Sequence, residues 1–259
     1  MQEVSIPSQG VQVSNPVVTT TTFATYNNHA ETVRADCALK TIEAAVTHGY
    51  TTVVIDGGSP VEYVEEMEWL GAQVFAQEFP GMGNARREAL RRARDIVPPG
   101  QPIVWTEPEK YPLIPELKLP ISTFIEGNYD LVMLRRISLD SYPPEQAMAY
   151  QLIALAAKYL TGIDSDFGWG PTVLSADAVD YYLSYESTHG DLWDGIHCPK
   201  LRIIKDGLPW TIVPVNYQHP PEQTAAETGM NLFLKRVMQV DQLARAIEAE
   251  VDRLGMRVE

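Results

Sequence analysis

The chain has 259 residues, 45% of them hydrophobic, and 34 acidic against 20 basic residues leave a formal charge of −14. That length suffices for one large domain with a substantial core, while the charge disfavours nucleic acid or an anionic membrane surface as partner. No apolar run reaches the ~18 residues of a membrane span, the polar start MQEVSIPSQGVQVSNP does not read as a signal peptide, and Cys37 and Cys198 alone imply no disulfide framework, so the expected location is cytoplasmic.

Residues 1–15 read as a polar leading segment. VVTTTTFAT (17–25) is β-branched and bounded by Pro16 and a polar YNNH, which predicts a buried strand. Apolar residues near helical spacing predict a helix over 31–48, stopped at Gly49. TTVVID (51–56) is a second strand with the turn GGSP after it, and 60–70 a short helix. AQVFAQEF (72–79) is a third strand; a glycine-rich turn then opens a helix to about Ile96, and PIVWTE (102–107) is a fourth strand.

The second half is less regular. It offers a strand at 131–136, a helix at 143–160 with proline at its start, a short extended stretch at 168–175 and a helix at 176–186. Residues 191–207 are helical at least as far as Pro199, 209–217 form a strand, and PPEQTAAETG (220–229) has the composition of a linker. A long amphipathic helix over 230–254 carries Leu232, Phe233, Val237, Val240, Leu243, Ile247, Val251 and Leu254 on its apolar side. It is expected to pack on the body or on a second copy of the chain.

Strands alternating with helices predict an α/β fold with a mostly parallel sheet. Ligands on such sheets bind beyond the carboxyl ends of the strands. Here those ends are polar or glycine-rich: Tyr26–His29, Asp56–Ser59, Phe79–Asn84 and Glu107–Lys110. Asp56 suits a nucleobase N–H or a ribose hydroxyl, or else caps its own turn. A helix opening on Gly81-Met82-Gly83-Asn84 presents free N–H groups and a positive dipole end to a diphosphate. Arg86 and Arg87 add charge there, unless the arginines at 86, 87, 91, 92 and 94 merely form a solvated face.

Three pieces in order, Thr25-Tyr26-Asn27, Asp56-Gly57-Gly58-Ser59 and Gly81-Met82-Gly83-Asn84-Ala85-Arg86, resemble family 2 glycosyltransferases of the GT-A type over residues 16–220. The resemblance implies a nucleotide-diphospho-sugar donor held by Thr25, Tyr26, Asn27, Asp56, Gly83, Asn84 and Arg86. Such enzymes hold Mn²⁺ or Mg²⁺ on a D-x-D motif after the fourth strand. This chain reads Glu107-Pro108-Glu109-Lys110 there, an E-x-E followed by a cation. The later half is similar in layout to mannosylglycerate synthase-like transferases, which makes His219 a third metal ligand and Asp194 the group facing the sugar or activating the acceptor. Trp169 and Trp193 are candidates to stack on sugar faces or to pack in the core.

The expectation is therefore a metal-dependent transferase moving a sugar to a hydroxyl on a small or soluble acceptor, inverting or retaining. The alternative is a GT-A-fold protein that binds nucleotide, sugar or a protein partner without turnover. A sugar-phosphate nucleotidyltransferase would need a G-x-G-T-R loop after the first strand, where TYNNHA stands instead. Residues 221–259 are expected to form a helical extension, with a homo-oligomer through the C-terminal helix as one outcome.

Overall fold

The computed structural model describes residues 15–258, so most of the leading polar segment lies outside the described residues. Seven strands form one sheet: β1 (Val17–Thr22), β2 (Thr51–Asp56), β3 (Gln73–Ala76), β4 (Ile103–Trp105), β5 (Leu131–Arg136), β6 (Thr172–Leu174) and β7 (Trp210–Val215), in the order β3-β2-β1-β4-β6-β5-β7. Strands β3, β2, β1 and β4 run parallel, and so do β5 and β7. β6 lies antiparallel to both β4 and β5. Its start, rather than its end, therefore lies at the carboxyl edge of β4. The register pairs Trp105 with Thr172, which carries Gly170 toward Glu107.

The helices are α1 (His29–Thr47), α2 (Val61–Trp69), α3 (Met82–Ile96), α4 (Lys118–Gly127), α5 (Pro144–Thr161), α6 (Val179–Leu183), α7 (Asp194–Lys205), α8 (Pro221–Ala226) and α9 (Met230–Leu254). Alternation along the strands splits the core in two. Val17, Ile103 and Leu131 join the layer with α3, α7 and α9, whereas Val18, Val104 and Val132 join the layer with α4. Local chemistry sets several ends. Asn28 caps α1 by accepting from the Glu31 amide at 3.0 Å, and α5 starts on Pro144 and stops at Gly162 with φ 73°.

The predicted strands and helices stand where expected, with shorter ends for β1, β3, β4, β6, β7 and α6. Two points differ, and one bound left open is fixed. The 3₁₀ segment Tyr111–Leu117 and α4 were not anticipated. α7 runs through Pro199 to Lys205, because Cys198, Pro199, Leu201 and Ile203 are all buried, and that packing outweighs the bond a helical proline loses. The stretch at 220–229 is no linker: it contains α8, whose Glu222 pairs with Lys40 of α1 at 2.5 Å.

α9 departs from its sequence pattern in its first turns. Leu232, Arg236 and Gln239 are buried, while Phe233 is 46% and Val237 50% exposed. Further along, Leu243, Ile247 and Val251 are in the core as expected. The reversal follows from location: the first turns of α9 border a polar cleft, so the polar side chains turn inward. Among the described residues no helix is long and apolar enough to cross a membrane.

Candidate functional site

A cleft of about 790 Å³ opens at the carboxyl edge of β1 and β4 and continues under α1, α8 and α9. Its walls carry a surplus of positive charge for so acidic a chain: Arg34, Arg86, Lys110, Lys235 and Arg236, against Glu31, Glu107, Glu109 and Glu227. Thr25 and Asn27 line it too, and Glu31 fixes both by accepting from the Thr25 hydroxyl at 2.5 Å and the Asn27 amide at 3.1 Å. Tyr26 between them has φ 52° and turns onto Tyr63, ring centres 6.0 Å apart, so it does not line the cleft.

Part of the anticipated diphosphate cradle at the start of α3 is filled by the protein itself, although Gly81, Met82 and Ala85 line the cleft. Asp191 lies over it: a Cβ on Gly83 would come within 2.1 Å of the Asp191 carboxylate. Arg87 holds that carboxylate with bonds of 2.8 and 2.5 Å. Asn84 donates to the Pro80 carbonyl and accepts from Arg87. Gly83 and Asn84 are thus removed from the cleft, and the dipole end of α3 already faces an anion. Arg86 differs. It lines the cleft, donates to the Leu192 carbonyl, and stands among the charges of Glu107, Asp191 and Asp194 while burial lowers its pKa.

Two further expectations are corrected by geometry. Asp56 does not reach the cleft; its oxygens accept from the Thr22 hydroxyl (2.8 Å), the amides of Gly58 (2.9 Å) and Ser59 (2.8 Å), and the Ser59 hydroxyl (2.5 Å). It is the cap of its own turn. Asp194, 2% exposed, is equally occupied: it accepts from the Tyr185 hydroxyl (3.1 Å), the Ser187 hydroxyl and the Leu192 amide (3.0 Å). These three bonds tie the 185–194 loop together, and Asp194 does not line the cleft. Trp169 is 1% exposed and packs on Tyr217 at 5.2 Å, a core residue, whereas Trp193 lines the cleft.

The E-x-E turn stands at the centre of the cleft, and both glutamates line it. They face different charges. Glu107 is felt by Arg86, Lys110 and Lys200, and one of its oxygens lies where a Cβ on Gly170 would be, at 2.2 Å. Its Oε2 is buried without a hydrogen-bond partner among the described residues. Glu109 is felt by Arg34 and Lys235. His219 is buried outside the cleft, edge-on to Tyr142 at 4.3 Å, and burial beside Lys110 pushes it down to about 3. Among the described residues no three His, Cys, Asp or Glu side chains gather closely enough to hold an ion. The three-ligand set of Glu107, Glu109 and His219 is therefore not preformed; the Tyr142 contact holds the histidine away.

The α1–α8–α9 wall was not anticipated as part of the site. Arg34 grips Glu227 through Nε at 2.8 Å and Nη2 at 2.5 Å, and Arg236 reaches its other oxygen at 3.4 Å. These arginines hold the Glu227 carboxyl down to about 2 against the effect of burial. The sequence signal was present in Arg236 and Gln239, polar residues at helical spacing, but Phe233 and Val237 made the opposite face look like the inner one. From α7, His197 lines the cleft with Nδ1 unpartnered, kept neutral by burial and by the charges of Lys200 and Arg86. Cys37 and Cys198 are buried free thiols, each pushed up to about 12 chiefly by burial.

No family model matches the chain, and no curated protein matches it in sequence. Solved structures do. Glucosyl-3-phosphoglycerate synthase from Mycobacterium tuberculosis, in complex with Mn²⁺, uridine diphosphate and phosphoglyceric acid, superposes with a TM-score of 0.53 at 15% identity, covering 89% of this chain and 79% of that one. Mannosyl-3-phosphoglycerate synthase from Rubrobacter xylanophilus gives 0.58 at 16% identity, covering 95% and 76%. A protein from Desulfovibrio desulfuricans G20 assigned as a nucleotide-diphospho-sugar transferase gives 0.52 at 10%, covering 93% and 98%. At such identities the likeness establishes the architecture: the chain has the GT-A fold of these nucleotide-sugar transferases, with a long C-terminal helix.

Proposed function

We propose that the cleft binds a nucleotide-diphospho-sugar and transfers its sugar to a hydroxyl of a small acceptor. The observation that carries this reading is the cation-rich cleft at the carboxyl edge of the parallel strands, in a chain whose net charge is −14. Such a pocket concentrates a multiply charged anion against the field of the rest of the molecule. Similar structures hold uridine diphosphate, Mn²⁺ and phosphoglyceric acid, which supports the same ligand classes here.

The residues present fit a divalent cation of the substrate-completed kind. Mg²⁺ and similar hard ions are commonly held by one or two carboxylates plus substrate phosphates, not by a full protein cage. Glu109, in the cleft wall, and the unpartnered Oε2 of Glu107 are such oxygens. They would hold Mn²⁺ or Mg²⁺, and the ion would supply charge neutralisation for the departing diphosphate. Arg86 binds the diphosphate, Thr25 and Asn27 border the nucleoside, and Trp193 offers its ring to the sugar. His197, Gln146 and Tyr150 orient the acceptor.

Binding without turnover is favoured by one observation, the lack of a three-ligand group among the described residues. Hydrolysis of UDP- and GDP-sugars, with and without Mn²⁺ and EDTA, separates the two. Turnover abolished by EDTA and crippled in Glu109→Gln, with an unchanged fold, is the expected result. Binding of the nucleotides without turnover on any donor, across a broad acceptor set, leaves the protein a binder. No melting-temperature shift with any nucleoside diphosphate, with or without Mn²⁺, sinks the transferase and the nucleotide binder alike.

A further inference from the structure

Behind the wall of the cleft at Lys110, several polar side chains have been carried out of water without acquiring partners among the described residues. Lys110, directly after the E-x-E turn, lines the cleft and is only 5% exposed. No carboxylate among the described residues lies within ion-pair distance of its ammonium. Its Nζ stands 5.8 Å from the centre of the Tyr217 ring.

Around it, the Tyr142 and Tyr217 hydroxyls and both ring nitrogens of His219 are buried and form no hydrogen bond among the described residues. The rings are in one cluster: Tyr142 lies 4.3 Å from His219 and 6.1 Å from Tyr217, centre to centre. A second cation backs it. Arg136 sits under Tyr142 at 4.8 Å, bonds Asp166, and leaves Nη1 unpartnered. Buried polar groups are nearly always paired, so a cluster of unpaired ones next to an ammonium marks a place where a ligand completes the bonds.

We propose that Lys110, with the hydroxyls of Tyr142 and Tyr217, forms an anion subsite at this wall of the cleft that takes one phosphate or carboxylate oxygen of a bound substrate. The subsite rests on the reading of the cleft as a substrate site and adds to it a fixed charge independent of any metal. Lysine suits it because an ammonium is a compact charge with three rotatable donors, and the phenols give it an electron-rich wall while themselves donating to the same anion. A phosphate of the donor and an acid group on the acceptor share this chemistry.

The test is titration calorimetry in EDTA with uridine diphosphate, uridine and phosphoglyceric acid as probes, on the wild type, Lys110→Met and Lys110→Arg. A charge-assisted bond in so dry a place predicts that Lys110→Met weakens one anionic probe by about tenfold or more. Uridine should bind unchanged, and Lys110→Arg should restore most of the loss. Loss on uridine diphosphate assigns the subsite to the donor, and loss on phosphoglyceric acid assigns it to the acceptor. Should Lys110→Met fail to fold, Tyr217→Phe keeps the ring, removes one donor, and must weaken the same probe selectively. Wild type that binds while Lys110→Met, or in its place Tyr217→Phe, binds both anions equally well overturns the subsite alone and leaves Lys110 a counter-charge to Glu107. Wild type that binds neither anion, in EDTA or with Mn²⁺ restored, overturns the reading of the cleft as well as the subsite.

Discussion

Two turns at the carboxyl edge of the sheet invite comparison, the start of α3 and the turn after β4. Both carry residues whose types suit an anionic ligand or its counter-ion. At α3 most such groups are answered from within: Asp191 lies on Gly83 and bonds Arg87, while Arg86 donates to the Leu192 carbonyl and still lines the cleft. After β4 the groups stay open: Glu107 keeps a buried oxygen unpartnered, and Lys110 has no carboxylate within ion-pair distance among the described residues. The lesson is that a motif states what a turn could bind, while the loops that fold over it decide whether the capacity is already used. Most of the hydrogen-bonding capacity of the first turn is used by the protein itself, and that of the second is left open among the described residues.

The comparison breaks most visibly if a saturated carboxylate proves dispensable. Asp194→Ala removes the acceptor of three bonds from a buried position and should lower unfolding free energy by about 3–5 kcal/mol, comparable to breaking a buried polar network. Chemical denaturation measures it. A loss below about 1 kcal/mol with abolished turnover would return Asp194 to a catalytic role.

Acid should reveal the second polar latch, Glu227 between Arg34 and Arg236. Its folded-state pKa, about 2, is depressed below that of an unfolded glutamate. The stabilisation is thus complete above the unfolded value and is lost as pH falls from about 4.3 toward 2. Integrated over the whole window it amounts to about 3 kcal/mol, of which about 1.7 kcal/mol is lost by pH 3, to be read as the difference between wild type and Glu227→Gln in denaturation curves taken from neutral pH to pH 3. Parallel curves would mean that the latch contributes nothing.

The smallest effect is the most diagnostic. Gly83→Ala forces a methyl into the Asp191 carboxylate and should cost about 1–3 kcal/mol, as overpacking does. In an Asp191→Ala background the same change should be neutral or stabilising by up to ~1 kcal/mol, since alanine is the better helix former. Equal effects in both backgrounds would show that Gly83 is small for another reason, and the α3 turn would again be a candidate for phosphate.

Much of the scaffold was legible in the chain. β2, β5 and α9 stand at the expected bounds because β-branched runs and a long apolar period act locally, and the parallel order follows from strands alternating with helices. Of the residues singled out in the sequence, Arg86, Glu107 and Glu109 line the cleft. Partner assignment did not. Asp56, Asp194 and Gly83 have the residue types of ligand contacts, yet their neighbours lie at Thr22, Tyr185 and Asp191, brought in from other elements.

The sequence by itself determined the elements, the sheet class and the edge where chemistry gathers, because propensity, periodicity and turn residues act within a few residues of each other. Tertiary structure alone decided which polar groups remain unsatisfied. It turned Arg236 and Gln239 of α9 inward and Phe233 and Val237 outward, brought Arg34 to Glu227 across 193 positions, and closed His219 against Tyr142. Hydrogen-bond capacity is a property of a residue type, but its satisfaction depends on what other elements deliver within about 3 Å.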